Sequence, residues 1–561
     1  MQNQNLNLVL AFILSIGIIA GWQYFFERPR LKQISDKQRM HSESIKKAKS
    51  ENIAAHNQLS KEEALAEYPR IKFSNSVVEG SINLKGLRFD DLRFKKYKED
   101  ISSESANITL LEPNGTKKSY FAEIGWITQD AHILMPNQDS IWQCDKNKIE
   151  KNETVLCKWH SPSGLSFRSY ITLDDNYIFN IRNEVENHSA EQIHLQSYGI
   201  IHKIFKFEAS QMSIVHEGVS SVAGGELNEL TYKEIEEKKK ISQKQKNIDW
   251  MGINDKYWLV AILPDKGHKY STNANFLIKN GLERFQVDII SDKIELEKGA
   301  KISLSHNLFG GAKELELLDH YETTLKVKLF DRTVDFGWFY IITKPLLTIL
   351  HLFYDLVGNF GISIMIVTVL VKLSMLGLAN KSYKSMKIMK YLAPQMEQIK
   401  TRYANDQVKM NQEIMNLYKQ HKVNPLSGCL PILIQIPVFF SLYKVLNVAI
   451  DMRHAPFFGW ILDLSAPDPT NIFNLFGLIP FTPPSFLHIG LWPIFMALTM
   501  YLQQRMQPPT ADPVQAQVMQ MMPLMFLFMF SNFPAGLLIY WTWNNILSIA
   551  QQSYINYSND K

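Results

Sequence analysis

Lys372 has the most unusual chemical position in the chain, because it stands inside the apolar run IVTVLVKLSML. Moving a lysine into hydrocarbon costs about 2.5–3.5 kcal/mol on insertion scales, so such a residue usually marks a functional site. The predicted membrane spans contain no Asp or Glu, and we expect Lys372 to be the one positive charge among them. The alternative is snorkelling, in which the flexible stem brings the ammonium to the nearby lipid headgroups.

Polar side chains in the other apolar runs favour a functional role for this charge. Thr368 precedes Lys372 by one helical turn and shares its face. Amide and hydroxyl groups also interrupt the later runs, at Gln435, Tyr540, Thr542, Asn544 and Asn545. Because such groups are costly in contact with lipid, we expect them to face one another. The pattern predicts a hydrophilic groove, open to the cytoplasm, that attracts segments with negative charge or unpaired backbone groups.

The apolar runs predict six membrane-spanning helices, since a hydrocarbon core of about 30 Å needs about 20 residues. The predicted spans are an N-terminal anchor at 1–26, then 357–378, 428–450, 486–504, 518–531 and 535–553. The first run has no basic residue before it and ends in aromatic residues, which favours an uncleaved anchor over a signal peptide. The last two runs are short. One long kinked helix is the alternative to two spans separated by Asn532-Phe533-Pro534.

Basic residues in short loops predict the orientation of the chain. Residues 380–424 contain nine basic and three acidic side chains, whereas residues 451–484 contain one Arg and three Asp. The first segment is therefore predicted to be cytoplasmic, and with six spans both termini are cytoplasmic too. Arg28, Arg30 and Lys32 follow the first span and oppose this orientation, but the rule is weak beside a long translocated domain.

Residues 71–335 are predicted to form a many-stranded β-sandwich outside the cytoplasm. They contain short alternating runs between turn signals, and helical periodicity is scarce. Residues 27–70 are rich in Lys, Glu, Gln and Ser and are predicted to be a polar linker. The highly charged segment Glu229–Lys246 is predicted to be a solvated excursion. Cys144 and Cys157 flank a predicted hairpin tip, where a disulfide and two free thiols both remain open.

Four further segments adjoin the spans. Residues 336–356 are predicted to form an amphipathic helix in the outer interface, with a simple extension of the next span as the alternative. Residues 379–427 are predicted to be a cytoplasmic helical hairpin, residues 451–485 a periplasmic loop and residues 554–561 a short cytoplasmic tail. The apolar stripe of the first hairpin helix should contain Met386, Met389, Leu392, Met396, Ile399 and Tyr403. The facing residues should be Ile414, Met415, Leu417 and Tyr418, with Asp406 as the cap of the second helix.

Several short motifs add a resemblance to a known family. In the exported domain they are Trp250, Gly252 and Asp255-Lys256-Tyr257. In the membrane half they are Val334–Trp338, Gly358–Gly361, Lys422–Leu426, Gly428-Cys429, Pro431, Gln435–Pro437 and Phe533–Gly536. Together they resemble the YidC/Oxa/Alb family of membrane protein insertases, of the Gram-negative bacterial type, along nearly the whole chain.

The resemblance implies a multi-pass protein of the bacterial inner membrane with a periplasmic β-supersandwich domain. Such a protein inserts nascent inner-membrane proteins and helps them fold, alone or with the Sec translocon. Lys372 would take the place of an arginine that is usual in the family's substrate groove, with loss of the bidentate fork. The other groove residues, from polarity and resemblance together, are Thr368, Gln435, Tyr540, Trp541, Asn544 and Asn545, of which Trp541 replaces a common tyrosine.

Two further contact surfaces follow from the resemblance. Ile436, Pro437 and Met529 would lie on an apolar slide for substrates, built from the third and fifth spans. Because the C-terminal tail is short and not basic, ribosome contact would use the hairpin through rRNA phosphates. The expected basic residues are Lys384, Lys387, Lys390, Lys400 and Arg402.

Other classes of membrane protein are less well matched by the residues. A secondary transporter predicts inverted repeats and midplane ionisable pairs, and the sequence contains neither. A membrane-embedded enzyme predicts a motif such as GxSxG or HExxH, which is absent. An assembly factor without insertase activity of its own stays open. We predict no enzymatic activity, no cofactor and no metal site.

Overall fold

The structure is a computed structural model that describes residues 59–151, 153–205, 215–279, 281–423, 430–479, 488–507 and 513–558. The predicted N-terminal anchor and most of the predicted linker lie outside these residues. The chain divides into two compact units, Met1–Asp335 and Phe336–Lys561.

The first unit is rich in strands, as its alternating sequence predicts. Its strands are β1 (Arg70–Ser74), β2 (Val78–Asn83), β3 (Arg88–Lys98), β4 (Asn107–Leu111), β5 (Tyr120–Thr128), β6 (Gln143–Cys144), β7 (Lys148–Ile149), β8 (Val155–His160), β9 (Leu165–Leu173), β10 (Ile178–Asn187), β11 (Ile193–Ile204), β12 (Gly218–Ala223), β13 (Glu226–Thr231), β14 (Lys240–Lys246), β15 (Ile248–Asn254), β16 (Trp258–Leu263), β17 (Tyr270–Lys279), β18 (Leu282–Ser291), β19 (Ile294–Leu296) and β20 (Lys301–Ala312). Its helices are α1 (Lys61–Ala66), α2 (Tyr232–Lys238) and α3 (Leu315–Thr324).

These strands form two large sheets that pack face to face as a β-sandwich. The first has the order β14-β17-β18-β11-β5-β3-β2-β1-β7, with β19 and β4 paired beside it, and the second has the order β13-β12-β15-β16-β20-β10-β9-β8-β6. Alternate residues of β17 and β9 are buried, so one face of each strand points into the core. Phe73 of the first sheet meets Phe179 of the second edge to face at 4.9 Å. The predicted β-sandwich is therefore confirmed.

Two details of this unit bear on the sequence predictions. Cys144 and Cys157 lie opposite each other in the antiparallel β6–β8 pair, with Cα atoms 4.0 Å apart, and a disulfide joins them. The segment Glu229–Lys246 is solvated as predicted, because most of its side chains are exposed, but it is part of the fold and forms the end of β13, helix α2 and β14. Tyr232 and Ile235, three residues apart on α2, are both buried and anchor the helix to the core.

The secondary structure of the second unit is helical in its described residues, with a long irregular connection between α9 and α10. Its helices are α4 (Tyr340–Val357), α5 (Phe360–Ser374), α6 (Leu376–Tyr391), α7 (Ala393–Arg402), α8 (Gln407–Gln420), α9 (Leu430–Val448), α10 (Leu491–Arg505), α11 (Pro513–Phe530) and α12 (Ala535–Ser558). A short 3₁₀ turn, Gly337–Phe339, precedes α4.

The predicted interfacial segment is helix α4, and it does not continue into the next helix. Gly358 ends α4 in the left-handed conformation, with φ +67°, and Asn359 caps α5 by accepting a hydrogen bond from the Ile362 N–H at 3.1 Å. The rings of Tyr354 and Phe360 stack at 4.0 Å across this turn. The alternative in which α4 merely extends the next span is therefore overturned.

The predicted span 357–378 is shorter than expected because the chain bends by 69° between α5 and α6. At the bend, the Ser374 hydroxyl donates to the Val371 carbonyl at 2.7 Å. Such back-bonding within a helix competes with the backbone ladder and bends the helix. Lys372 thus lies in the last turn of α5, where the negative end of the helix dipole favours a cation.

Helices α6, α7 and α8 form the predicted hairpin. Its core contains Met386, Met389, Leu392 and Met396 from one side and Ile414, Leu417 and Tyr418 from the other. Asp406 caps α8 by accepting from the Lys409 N–H at 3.0 Å. Met415 does not face the core as predicted, because it is 47% exposed on the outer side of α8.

The C-terminal helices also differ from the predicted bounds. Helix α11 begins at Pro513, before the predicted 518, and α12 continues to Ser558, through most of the predicted tail. The extension of α12 is stabilised because Ile555 is buried in the hairpin core. The alternative of one long kinked helix is wrong: residues 531–534 separate α11 from α12, and the Ala535 N–H donates instead to the Ala466 carbonyl at 2.7 Å.

Helix length supports fewer membrane spans than the six predicted. Among the described residues, Gly337–Val357 is one helix long and apolar enough to cross a membrane, and α5 with α6 adds a second if that bent pair is one span. The stretches Ile434–Val448 and Ala516–Phe530 are apolar but shorter. The count of six stays a prediction.

Candidate functional site

The ammonium of Lys372 is directed toward helix α12. Its Nζ donates a hydrogen bond to the Ser548 hydroxyl at 2.6 Å, and the side chain is half-buried. Within the part of the chain that the structure describes, no carboxylate forms an ion pair with it. A cation held by a neutral hydroxyl keeps its charge available to another partner.

A row of polar side chains continues from this contact. The Ser548 hydroxyl donates to the Asn544 backbone carbonyl at 2.9 Å, and the Asn544 side-chain amide donates to the Gln435 side-chain oxygen Oε1 at 3.2 Å. Because residues four apart share a helix face, Tyr540, Asn544 and Ser548 all lie on one side of α12. The structure thus brings Lys372, Asn544 and Gln435 together across helices α5, α12 and α9.

Thr368 and Asn545 take up other contacts. The Thr368 hydroxyl is 3% exposed and donates to the Ile364 carbonyl of its own helix at 2.6 Å, so it can offer only an acceptor to the groove. The Asn545 amide donates to the Thr499 hydroxyl at 3.2 Å, which places Asn545 against α10 rather than beside Lys372. Thr542 is buried, and its hydroxyl has no hydrogen-bond partner among the described residues.

Trp541 does not join the polar row. Its ring lies 4.8 Å from that of Phe439, 5.1 Å from that of Phe530 and 5.9 Å from that of Phe526. The aromatic cluster is apolar and connects α12 with α9 and α11. The physical reason is helix geometry, since Trp541 is one residue, or about 100°, away from the face that contains Tyr540 and Asn544.

The three residues predicted for an apolar slide lie at or near helix surfaces. Ile436 is 41% exposed on α9 and Met529 is 48% exposed on α11, whereas Pro437 is half-buried. Phe439 of α9 and Phe530 of α11 have ring centroids 5.9 Å apart, so the two helices approach each other near these residues.

The prediction that Lys372 is the only charged residue within the predicted spans is wrong. Lys444 also lies within residues 428–450, on helix α9, and is half-buried. It stands one helical turn before the end of α9, where a lysine stem can reach the interface at little cost. The ammonium of Lys372 is held by a side chain of another helix.

The basic residues predicted for ribosome contact are unequally exposed. Lys384, Lys390 and Arg402 are exposed on α6 and α7. Lys400 is half-buried, and Lys387 donates to the Asn556 carbonyl of α12 at 3.1 Å. The first three are therefore free to meet phosphate, while Lys387 also holds the hairpin against α12.

Sequence reasoning missed two residues of the site, Ser548 and Tyr383. Ser548 is 2% exposed and holds Lys372, and Tyr383 of α6 is 7% exposed and lies near Ser548. The spacing of Ser548 could have identified it, since it follows Asn544 by four residues and Tyr540 by eight. No comparable signal marked Tyr383, because its approach to α12 depends on the bend between α5 and α6.

Three acidic side chains of the first unit lie close together, in an arrangement that metal ions prefer. Carboxylate oxygens of Asp319, Glu322 and Asp331 lie within 4.8 Å of one another in the first unit. Glu322 accepts hydrogen bonds from the N–H groups of Phe330 and Asp331, at 3.0 and 3.4 Å. These bonds give the group a role in fixing the loop after α3.

Comparison with known proteins agrees with this architecture. A family model described as the YidC periplasmic domain matches residues 70–349, and one described as the 60Kd inner membrane protein matches residues 352–561. A membrane protein insertase YidC of Rickettsia bellii is 52% identical over 557 residues, which cover 99% of each chain. The protein of the same name from Rickettsia prowazekii is 51% identical over 558 residues, covering 99% of this chain and 100% of that one.

A solved structure described as an active YidC insertase with the first transmembrane domain resolved matches 86% of this chain and 92% of that chain, with 17% identity and a TM-score of 0.36. The matches to the two rickettsial proteins cover 99% of this chain and therefore both of its units. The chain therefore belongs to the YidC family of membrane protein insertases.

Proposed function

We propose that this insertase, a non-enzymatic factor that inserts membrane proteins into the bilayer, works through a hydrophilic groove between α5, α9 and α12. Lys372, Asn544 and Gln435 line the groove, and the observation that supports it best is the half-buried ammonium of Lys372 on a neutral hydroxyl. A carboxylate on an incoming segment would gain a charge-assisted hydrogen bond there.

The groove would lower the cost of moving a polar tail across lipid. Unpaired backbone and charged groups of a substrate are expensive in hydrocarbon, and amides and hydroxyls of α9 and α12 can replace their water. The apolar part of the same substrate would leave along the slide, where Ile436 and Met529 are exposed. We infer that the groove opens to the cytoplasm, as the basic hairpin next to it predicts.

The arrangement of the chain in the inner membrane is part of the proposal. Six spans, both termini in the cytoplasm and a β-sandwich in the periplasm are consistent with the charges of the loops. The proposed partners are nascent inner-membrane proteins, with or without the Sec translocon. The ribosome would contact Lys384, Lys390 and Arg402, with Lys387 and Lys400 beside them.

Substitution of Lys372 tests the role of the groove charge. Lys372→Ala should lower insertion of a short substrate with an acidic N-terminal tail by about tenfold, the value of one charge-assisted hydrogen bond. Lys372→Arg should retain insertion, because the positive charge is kept. Insertion is measured by protease protection of the translocated tail in vesicles that contain equal amounts of each variant.

A substrate with the same span and a neutral tail is the control, and both variants should insert it equally well. Equal insertion of the acidic-tail substrate by Lys372→Ala and the unmodified protein would return Lys372 to a snorkelling role. Photocrosslinking from Gln435, Ile436 and Met529 to an arrested substrate would test the proposed path independently. Crosslinks from none of the three positions would contradict it.

A further inference from the structure

Ser548 lies where helices α5, α6 and α12 meet. A serine hydroxyl offers one donor and two acceptor positions. The Ser548 hydroxyl donates to the Asn544 carbonyl of α12 at 2.9 Å and accepts from Lys372 of α5 at 2.6 Å, and Tyr383 of α6 lies near it. The two bonds use its one donor and one of its acceptor positions.

Burial strengthens the hydrogen bond between Lys372 and Ser548. Ser548 is 2% exposed and Tyr383 is 7% exposed, so both hydroxyls are shielded from competing water. Hydrogen bonds to charged groups contribute more than neutral ones, particularly where water is excluded. The contact therefore opposes the snorkelling that a flexible lysine stem near a helix end would otherwise undergo.

Helix α6 is held against the part of α12 that follows Ser548. The Gln551 side-chain amide donates to the Asn380 side-chain oxygen Oδ1 at 2.8 Å, and Lys387 donates to the Asn556 backbone carbonyl at 3.1 Å. Ile555 of α12 is buried in the core of the hairpin. Docking of the hairpin on α12 is thus what places Tyr383 at Ser548.

We propose that Ser548 is the positioning residue that keeps the Lys372 ammonium in the groove, and that Tyr383 couples this position to the docking of the cytoplasmic hairpin. The inference rests on the proposed function, because it concerns the same groove charge. Without the Ser548 hydroxyl, the ammonium moves toward the interface and no longer meets an acidic segment. The hairpin, which carries the predicted ribosome contact, thereby influences the groove through Tyr383.

The test compares two substrates that differ only in an acidic or a neutral translocated tail. The ratio of their insertion rates is defined as the acidic-tail preference. Ser548→Ala should lower this preference by about threefold to tenfold, the range of one net hydrogen bond, while Ser548→Thr retains it. Tyr383→Phe removes only a hydroxyl and should lower the preference by about twofold to threefold.

Matched controls exist for both substitutions. Ser363 is a buried serine of α5 whose hydroxyl donates to the Asn359 carbonyl at 3.0 Å, four residues back, as in Ser548, but it does not bond Lys372. Tyr391 is on the same helix as Tyr383 and is 80% exposed. Ser363→Ala and Tyr391→Phe should leave the acidic-tail preference unchanged.

A double-mutant cycle separates positioning from damage to the fold. If Ser548 acts through Lys372, Ser548→Ala should produce no further loss of preference in a Lys372→Ala background. An equal loss of insertion for both substrates, or a further loss of preference without Lys372, would overturn the inference. A normal preference in Ser548→Ala, when Lys372→Ala has lost it, would overturn the positioning role alone. An unchanged preference in Lys372→Ala would refute the proposed function itself.

Discussion

At the scale of single residues, the hydrogen bond from Lys372 to Ser548 holds the charge of the proposed groove. An apolar run with one lysine makes Lys372 conspicuous, and helical spacing places Asn544 and Tyr540 on one face of α12. The hydrogen bond to Ser548 depends on the approach of α5 to α12, which joins residues 176 positions apart. Such a contact is a property of packing and cannot be read from local pattern.

Buried histidines make the β-sandwich sensitive to acid. Burial, the main cause, lowers the pKa of His306 to about 4, and burial together with Arg284 and Arg88 lowers the pKa of His202 to about 4. Unfolded histidines titrate near 6.5, so between these values the unfolded chain binds more protons than the folded chain. Stability is therefore fully present above about pH 6.5 and is lost as the pH falls toward 4.

Substitution of His306 should flatten this pH dependence. The His306 Nε2 lies 3.1 Å from the Ser197 hydroxyl, a contact that a glutamine amide can replace. The free energy of opening of β20 should fall between pH 7 and pH 4 in the unmodified chain. We expect this fall to be smaller in His306→Gln, by up to about 3 kcal/mol. Hydrogen exchange of the full-length protein, corrected for intrinsic rates, measures this difference. His188→Gln, at an exposed position, is the control, and an unchanged slope in His306→Gln would contradict the prediction.

At the scale of elements, the predicted break at Asn532-Phe533-Pro534 does separate two helices in the structure, whereas apolar length predicted helix ends poorly. Gly358-Asn359 also separates two helices. The bend at Met375 was not predicted, because it arises from a serine hydroxyl bonded to its own helix and from the packing of α6 on α12. Helix α12 likewise extends past its apolar run, since Ile555 is buried by the hairpin.

Two glycines of the helical unit should respond to alanine in opposite ways. Gly358 has φ +67° and Gly377 lies within helix α6, while a Cβ at either position would have no atom within 4 Å. Gly358→Ala should destabilise the turn by about 1 kcal/mol, because only the backbone conformation is strained. Gly377→Ala should stabilise α6 by about 0.5–1 kcal/mol, because alanine loses less entropy in a helix. The thermal midpoints of the two full-length variants in the same detergent test this, and shifts of equal sign would contradict it.

At the scale of the whole molecule, charge is divided along the chain in a way that predicts a cytoplasmic partner. Exposed cations concentrate on α6 and α7, close to the end of α12 that completes the hairpin core. Such a surface attracts partners that bear phosphates. The attraction weakens as the salt concentration rises, because the release of counterions from the phosphates is then less favourable. The ribosome is the proposed partner because it presents rRNA phosphates where nascent chains emerge.

Neutralisation of the hairpin cations should weaken ribosome binding. The triple variant combines Lys384→Gln, Lys390→Gln and Arg402→Gln. We expect the slope of log affinity against log salt concentration to become shallower in it, by about 2 to 3. Cosedimentation of ribosomes with vesicles over a range of salt concentrations measures this slope. The matching triple variant of three exposed lysines in the β-sandwich, Lys146, Lys148 and Lys151, should bind as the unmodified protein does. A slope that is the same in all three proteins would exclude the hairpin as the contact.

The amino-acid sequence by itself determined the class of each half, the unusual position of Lys372 and the break before Pro534. These features follow from hydropathy, periodicity and backbone preference, which are local properties of the chain. Only the tertiary structure decided that Trp541 faces an aromatic cluster, that Cys144 and Cys157 are joined and that Ser548 holds the groove cation. Each of these depends on which helices or strands approach each other, and that choice is made by the packing of side chains distant in sequence.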